Sequence, residues 1–339
     1  MKELATNLFW ILVLTGAAGG YYAIASREDS IPAERQRQVE TAKGDREPAE
    51  LPAGLEPELI AAWKKECSVR VGWYAPDEWS GCWEFYAAKP TCPDALPALR
   101  VVGFPSGRIA TLPAPSAPFA LATRHAAETE GNLKELAALA NLRLLDLSDS
   151  NAGDEAVKEI AGLRNLQCLY LNSTSVGDAG LKHLAGLERL QILGLVLTPV
   201  TDEGLKELAP LKSLRSLDLR STSVTDAGLK ELARIKGLQV LILNNTSITD
   251  AGLKELAGLP ELQALHLSST AVSGAGLKAF VDHANLQHLN LRFTKLGDAD
   301  VSPIAAQASL QTVQVKGTKL TEAGIASLQE ARPGLKIVR

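Results

Sequence analysis

The sequence predicts an α/β protein in which one strand–turn–helix unit is stacked many times, behind an N-terminal third of different build. Three observations carry that prediction. The motif LxxLxL begins at Leu142, Leu166, Leu190, Leu214, Leu238, Leu262 and Leu286. Leu310 opens an eighth copy, with Val313 and Val315 at its later positions, and every step is 24 residues. Within a copy the apolar residues change from alternation, as at Leu217 and Leu219, to helical spacing, as at Leu229, Leu232 and Ile235. The aromatics are spread unevenly: eight of the 16 lie between Trp63 and Phe104 and only four after residue 118, so the N-terminal part needs a core of another kind. The 339 residues are 46% hydrophobic and 22% charged, with a net charge of −4. That balance excludes a disordered chain, and it gives no charge excess that would point to nucleic acid.

Residues 8–25, LFWILVLTGAAGGYYAIA, hold no charge over 18 positions, the lower limit for a membrane-spanning helix. Two readings stand: a retained anchor, or a signal peptide cleaved after Ala23-Ile24-Ala25. The apolar run is longer than a signal core and Glu3 sits in its basic start, which favours the anchor. Arg27, Arg35, Arg37 and Lys43 after the run argue for a cytoplasmic body, while the signal-like start argues for export. We take export, periplasmic or to the cell surface, as the expectation, with a cleaved secreted form as its variant. Residues 26–54 mix charges with Pro32, Pro48, Pro52 and Gly54, and read as a disordered, solvated linker.

Residues 55–117 form a small Trp/Cys-rich segment, holding Trp63, Trp73, Trp79, Trp83, Cys67, Cys82 and Cys92. A short helix around Leu59–Trp63 and strands at 69–74 and 83–88 are expected, with Pro-rich punctuation afterwards. The aromatics suit a small core that caps the next domain, or a platform for stacking sugars. The C-x14-C-x9-C spacing lacks the close pairs of a zinc site. In an oxidising compartment Cys82–Cys92 would close the shortest loop and leave Cys67 over; in a reducing one all stay thiols.

The repeat domain spans 118–339: a degenerate copy at about 118–141, eight full copies from 142 to 333, and a last strand at Lys336–Val338. Position 9 is Thr in seven copies (Thr174, Thr198, Thr222, Thr246, Thr270, Thr294, Thr318), suited to satisfying backbone groups in the turn after the strand. Position 13 is Asp in six (Asp154, Asp178, Asp202, Asp226, Asp250, Asp298), read as a helix cap. Gly recurs at position 15, as at Gly180 and Gly204, for close packing rather than phosphate binding. The last copies drift: Gly274 replaces the capping Asp, Asp300 replaces the Gly, and His283 and Gln307 fall at an apolar position. The two C-terminal repeats are therefore expected to be the least stable.

The run TDAGLKELAGL at 249–259 resembles the 24-residue bacterial subclass of leucine-rich repeats, similar to those of GALA-type effectors and F-box substrate adaptors. The resemblance implies a right-handed solenoid, a horseshoe with a parallel sheet on its concave side and helices on its convex side. It also implies protein recognition without catalysis. Thr at position 9, where Asn or Cys is usual, departs from the wider pattern, and no F-box lies in residues 1–117.

Strand positions 3, 5 and 7 then face the concave side, and they vary while the buried positions barely do. Ten of these residues are the candidate partner-binding set: Tyr170, Ile192, Val196, Asp218, Arg220, Val240, Ile242, His266, His288 and Arg292. Ile192, Val196, Val240 and Ile242 read as an apolar patch around a notch at Gly194. Asp146 and Asp149 lie at one end and Arg292 and Lys316 at the other. Tyr170 and Arg220 are the expected anchors, their loss costing binding but not the fold. His266 and His288 alone do not make a metal site, and no cofactor is expected. A lone Cys168 lies about 19 Å from His266, too far for a nucleophile and its base. No nucleotide loop, HExxH, GxSxG or CxxCH occurs, so no enzyme is expected. The alternatives are an intracellular F-box-like adaptor, docking through a helix near 55–66, and a carbohydrate binder using the Trp-rich segment. Oligomeric state is open.

Overall fold

The computed structural model describes residues 51–76, 83–86, 95–102, 107–123 and 133–339. The apolar stretch 8–25, most of the linker, Trp79, Cys82 and Cys92 lie outside the described residues. Among the described residues no helix is long and apolar enough to cross a membrane.

The first element of the described residues is helix α1 (Pro57–Glu66), begun by Pro57 in the first turn, where its missing N–H costs nothing. Leu59, Ile60 and Trp63 bury one face of it, and Trp63 Nε1 donates to Pro113 O at 2.9 Å. Strands β1 (Ser68–Pro76), β2 (Trp83–Tyr86) and β3 (Leu96–Val102) follow. Strand β3 is additional to the two strands expected in this segment. Pro97 sits at its second residue, close to the strand start where a proline is tolerated. Strand β4 (Phe119–Thr123) belongs to the degenerate copy, and Leu121 pairs with Leu145 as the 24-residue count requires.

The full copies supply β5 (Leu142–Asp146), β6 (Cys168–Tyr170), β7 (Ile192–Gly194), β8 (Ser216–Asp218), β9 (Val240–Ile242), β10 (Ala264–His266), β11 (His288–Asn290) and β12 (Thr312–Gln314). Strand β13 (Lys336–Val338) ends the chain. All thirteen join one sheet in the order β13 to β3 and then β1 and β2. Strands β3 to β13 run parallel, because each copy returns through its own helical turn, and β1 is antiparallel to β3 and to β2. The sheet therefore passes residue 118 without a break. Trp63, Val71, Leu99 and Val101 share one apolar core with the repeat leucines. Each fully buried leucine contributes about 2–3 kcal/mol, and no single copy could bury its own.

Two side-chain ladders recur along the copies, one within each copy and one between neighbours. The position-9 hydroxyls donate to the carbonyl three residues back, as Thr174 Oγ1 does to Leu171 O at 2.6 Å. The position-13 carboxylates depart from the expected role. They accept not from their own helix but from position 12 of the next copy. Asp178 takes Thr201 N at 2.8 Å and Thr201 Oγ1 at 2.6 Å, and Asp202 does the same with Thr225. The helix cap is the position-12 hydroxyl, which accepts from its own helix, as Thr225 does from Ala227 N. Position 15 is Gly because the preceding carboxylate occupies that space: a Cβ on Gly204 would collide with Asp178 Oδ1.

The apparent drift in copies 6 and 7 is an exchange. Gly274 and Asp300 have traded residue types, and Asp300 Oδ2 takes over the position-12 N–H of Gly297 at 2.9 Å. Its carboxylate stands against Gly274, where any Cβ would strike it. His283 likewise finds a partner in Leu259 O at 2.7 Å. Gln307 is buried, with Nε2 bonded to Pro303 O at 3.4 Å and Oε1 without a partner.

Candidate recognition surface

The helices cover one side of the sheet, and positions 3, 5 and 7 occupy the other. Residues in each row stand in register on adjacent strands: Asp146, Tyr170, Gly194, Asp218, Ile242, His266, Asn290 and Gln314 form row 5. Adjacent members are about 4.8 Å apart, so large side chains lie on one another.

This crowding buries much of what sequence reasoning put at the surface. Tyr170 is only 3% exposed. Its ring lies across Gly194, where a Cβ would come within 2.5 Å of Cδ1, so the expected notch is filled by the expected anchor. Tyr170, Tyr74, Phe85, Leu144 and Cys168 form a second apolar core on this face, with Ile192 at its margin. Ala98, Ala120 and Ala122 make room for the three rings. Tyr74 Oη closes the cluster by donating to Asp146 Oδ2 at 2.5 Å. Burial, and then the adjacent Asp146 carboxylate, hold the Tyr74 hydroxyl well above its ordinary pKa. Burial pushes the Cys168 thiol up to about 12, which leaves it without thiolate character at neutral pH.

Ile242 and Asp218 are also buried, against expectation. Asp218 serves its own turn: Oδ1 accepts from Arg220 N at 3.1 Å and Nε at 3.0 Å, and Oδ2 from Nη2 at 2.6 Å. Asp146, Asn172, Asn244 and Asn290 likewise accept position-7 N–H groups, so these polar residues stabilise strand ends. Val196, Val240, Arg220 and His266 are half-buried and His288 is exposed. Burial, and then the Arg220 guanidinium, lower His266 to about 4.

The exposed apolar side chains lie at position 8, which sequence reasoning passed over. There the backbone is left-handed in every full copy, with φ of 54–58° at Asp149, Ser173, Leu197, Ser221, Asn245, Ser269 and Phe293, and 71° at Gly317. In copies 1–7 its N–H donates to the position-7 carbonyl of the next copy, so the fold imposes this conformation whatever the side chain. Asp, Ser, Asn and Gly suit it; Leu and Phe do not. Leu197 is nevertheless 44% and Phe293 41% exposed, the large apolar exceptions among the described repeat residues. The signal was available in sequence as two bulky residues in an otherwise small or polar column.

Residues 126–331 match the family model described as a leucine-rich repeat region. The chain belongs to the leucine-rich repeat proteins. An internalin (inlF) of Listeria monocytogenes matches with 23% identity and a TM-score of 0.51, covering 64% of this chain and 60% of that one. The chain thus spans well under two thirds of that internalin, and the likeness shows the fold. The internalin C2 (inlC2) of the same organism matches at 28% identity and TM-score 0.46, covering 61% and 83%. A Leptospira interrogans LRR protein matches at 19% and 0.43, covering 66% and 65%. No curated protein sequence matches the chain.

Two described tryptophans of the Trp-rich segment face inward, while Trp79 lies outside the described residues. Trp63 and Trp73 are buried, so these two rings are not open to stacking with sugars. Helix α1 spends its apolar side, Leu59, Ile60 and Trp63, on the core.

Proposed function

We propose that this leucine-rich repeat protein is a non-catalytic recognition module that holds a protein partner on the open face of its sheet, over copies 3–8. The repeat fold points to protein–protein interaction, and one observation carries the location. Leu197 and Phe293 are exposed, apolar and held in a backbone conformation that disfavours them, so neither the core nor the turn accounts for their presence. They stand four copies apart, about 19 Å along the face. Val196, Val240, Arg220, His288 and Arg292 lie on or between their strands, while Tyr170, Asp218 and Ile242 act as supports beneath. The uncharged stretch 8–25 would tether or export the module.

The test is photo-crosslinking in intact cells of the native source, with a benzophenone side chain at Phe293 and a control at Lys230 on an outer helix. A protein trapped from Phe293 and not from Lys230 is the expected result. Equal trapping at both positions, or none at Phe293, would contradict the assignment.

A further inference from the structure

Arg220 and Arg292 occupy the same row three copies apart, and they differ in one respect. Arg220 is ion-paired with Asp218, two residues before it. At the matching place before Arg292 stands Asn290. Asn290 Oδ1 still accepts from Arg292 N, at 3.1 Å, so the turn keeps its bond while the internal counter-ion is gone. Arg292 is only 9% exposed, makes no ion pair with any described residue, and its Nε has no hydrogen-bond partner. Buried guanidinium groups are otherwise paired.

The surroundings are built for an anion. At positions 3, 5, 7 and 8, copies 5–8 contain Arg292 and Lys316 and no carboxylate, whereas copies 1–4 contain Asp146, Asp149 and Asp218. Lys316 follows Arg292 in the same row and is exposed. The guanidinium Cζ stands 5.6 Å from the centre of the Phe293 ring. That ring is laid over Gly317, where a Cβ would collide with it.

We propose that copies 7 and 8 bind a carboxylate side chain of the protein partner, received by Arg292 and Lys316, next to an apolar residue that packs on Phe293. This rests on the reading of the open face as a protein-recognition surface. The planar fork of Arg292 takes a carboxylate bidentately, and the partner supplies what Asp218 supplies to Arg220. The occupant is an exposed segment with Asp or Glu beside an aromatic or aliphatic residue.

The probe is a library of random dodecapeptides displayed on phage and selected on the full chain. Enriched peptides are expected to pair an acid with a neighbouring apolar residue. Arg292→Gln should weaken them roughly thirtyfold or more, the loss typical of truncating one member of a buried charged pair. Asn290→Asp gives Arg292 an internal counter-ion, and should abolish the acid preference with an unchanged or raised melting temperature. Face-dependent peptides without an acid, or an acid preference that survives Asn290→Asp and Arg292→Gln, would overturn the carboxylate site and leave the recognition surface standing. Selected peptides indifferent to Leu197→Ser, Phe293→Ser and Arg292→Gln together would contradict both. Self-association of the chain that Asn290→Asp removes would reassign the site to a second copy and overturn the proposal.

Discussion

Copies 1 and 2 and copies 3–8 share one backbone, one period and one buried leucine set, yet their open faces differ. In the first group Leu144, Cys168 and Tyr170 close on Tyr74 and Phe85 of the N-terminal strands, and Asp146 is bonded to the Tyr74 hydroxyl. In the second, His288, Phe293 and Lys316 are exposed and Arg292 has no ion-pair partner among the described residues. The period governs the core and says nothing about the rows opposite. There, a side chain's fate depends on what stands about 4.8 Å away on either side. Large beside small makes a sealed layer; charged beside neutral leaves a group seeking a partner.

The sharpest way to break this contrast is Tyr170→Ala. As a buried ring over Gly194 it should cost about 3–5 kcal/mol, read as a fall in denaturation midpoint. A variant that melts like the parent would mean the first half is as open as the second.

His266, half-buried within the open half, gives that half a pH dependence. Its native pKa lies below its unfolded one, so from about pH 6.5 down to about 4 the unfolded chain binds a proton that the native chain refuses. The group therefore costs nothing above that window and destabilises progressively within it, by as much as about 3 kcal/mol at its lower end. Unfolding of the parent and of His266→Gln at pH 7 and pH 4.5 should show the variant losing less stability on acidification. Equal losses would place His266 in a solvated site.

The exchange at copies 6 and 7 tests whether the second half is weakly built or only differently built. Asp300→Gly strips the Gly297 N–H of its acceptor and should cost about 1–3 kcal/mol. Adding Gly274→Asp should restore most of it, since the carboxylate returns to the space it fills elsewhere. Purely additive losses would show that the two positions are independent.

The smallest effect concerns Leu197. Replacing it with Asn, which tolerates a left-handed backbone, should leave stability unchanged or raise it by up to about 1 kcal/mol, read by thermal melting. A clear loss would assign Leu197 to folding.

Much of the fold was legible because 24-residue spacing survives any surface variation. Leu121 was placed correctly by counting alone. The role of Asp178 was not, because its acceptor geometry reaches 23 residues forward into another copy. Tyr170 looked exposed because alternation assigns a face, and a face is not the same as access to solvent. Leu197 and Phe293 escaped notice because position 8 lies just past the alternating strand positions, although their bulk stands out in its column of small or polar residues. The exchange of Gly274 and Asp300 resembled decay until the two were seen to share one space.

The central claim is that the apolar residues of the open half serve binding and not folding. Its most direct test is the double variant Leu197→Asn, Phe293→Asn, with melting temperature and affinity for a face-dependent peptide measured on the same preparation. The account predicts an unchanged or higher melting temperature together with lost binding. A lower melting temperature with binding intact would contradict it.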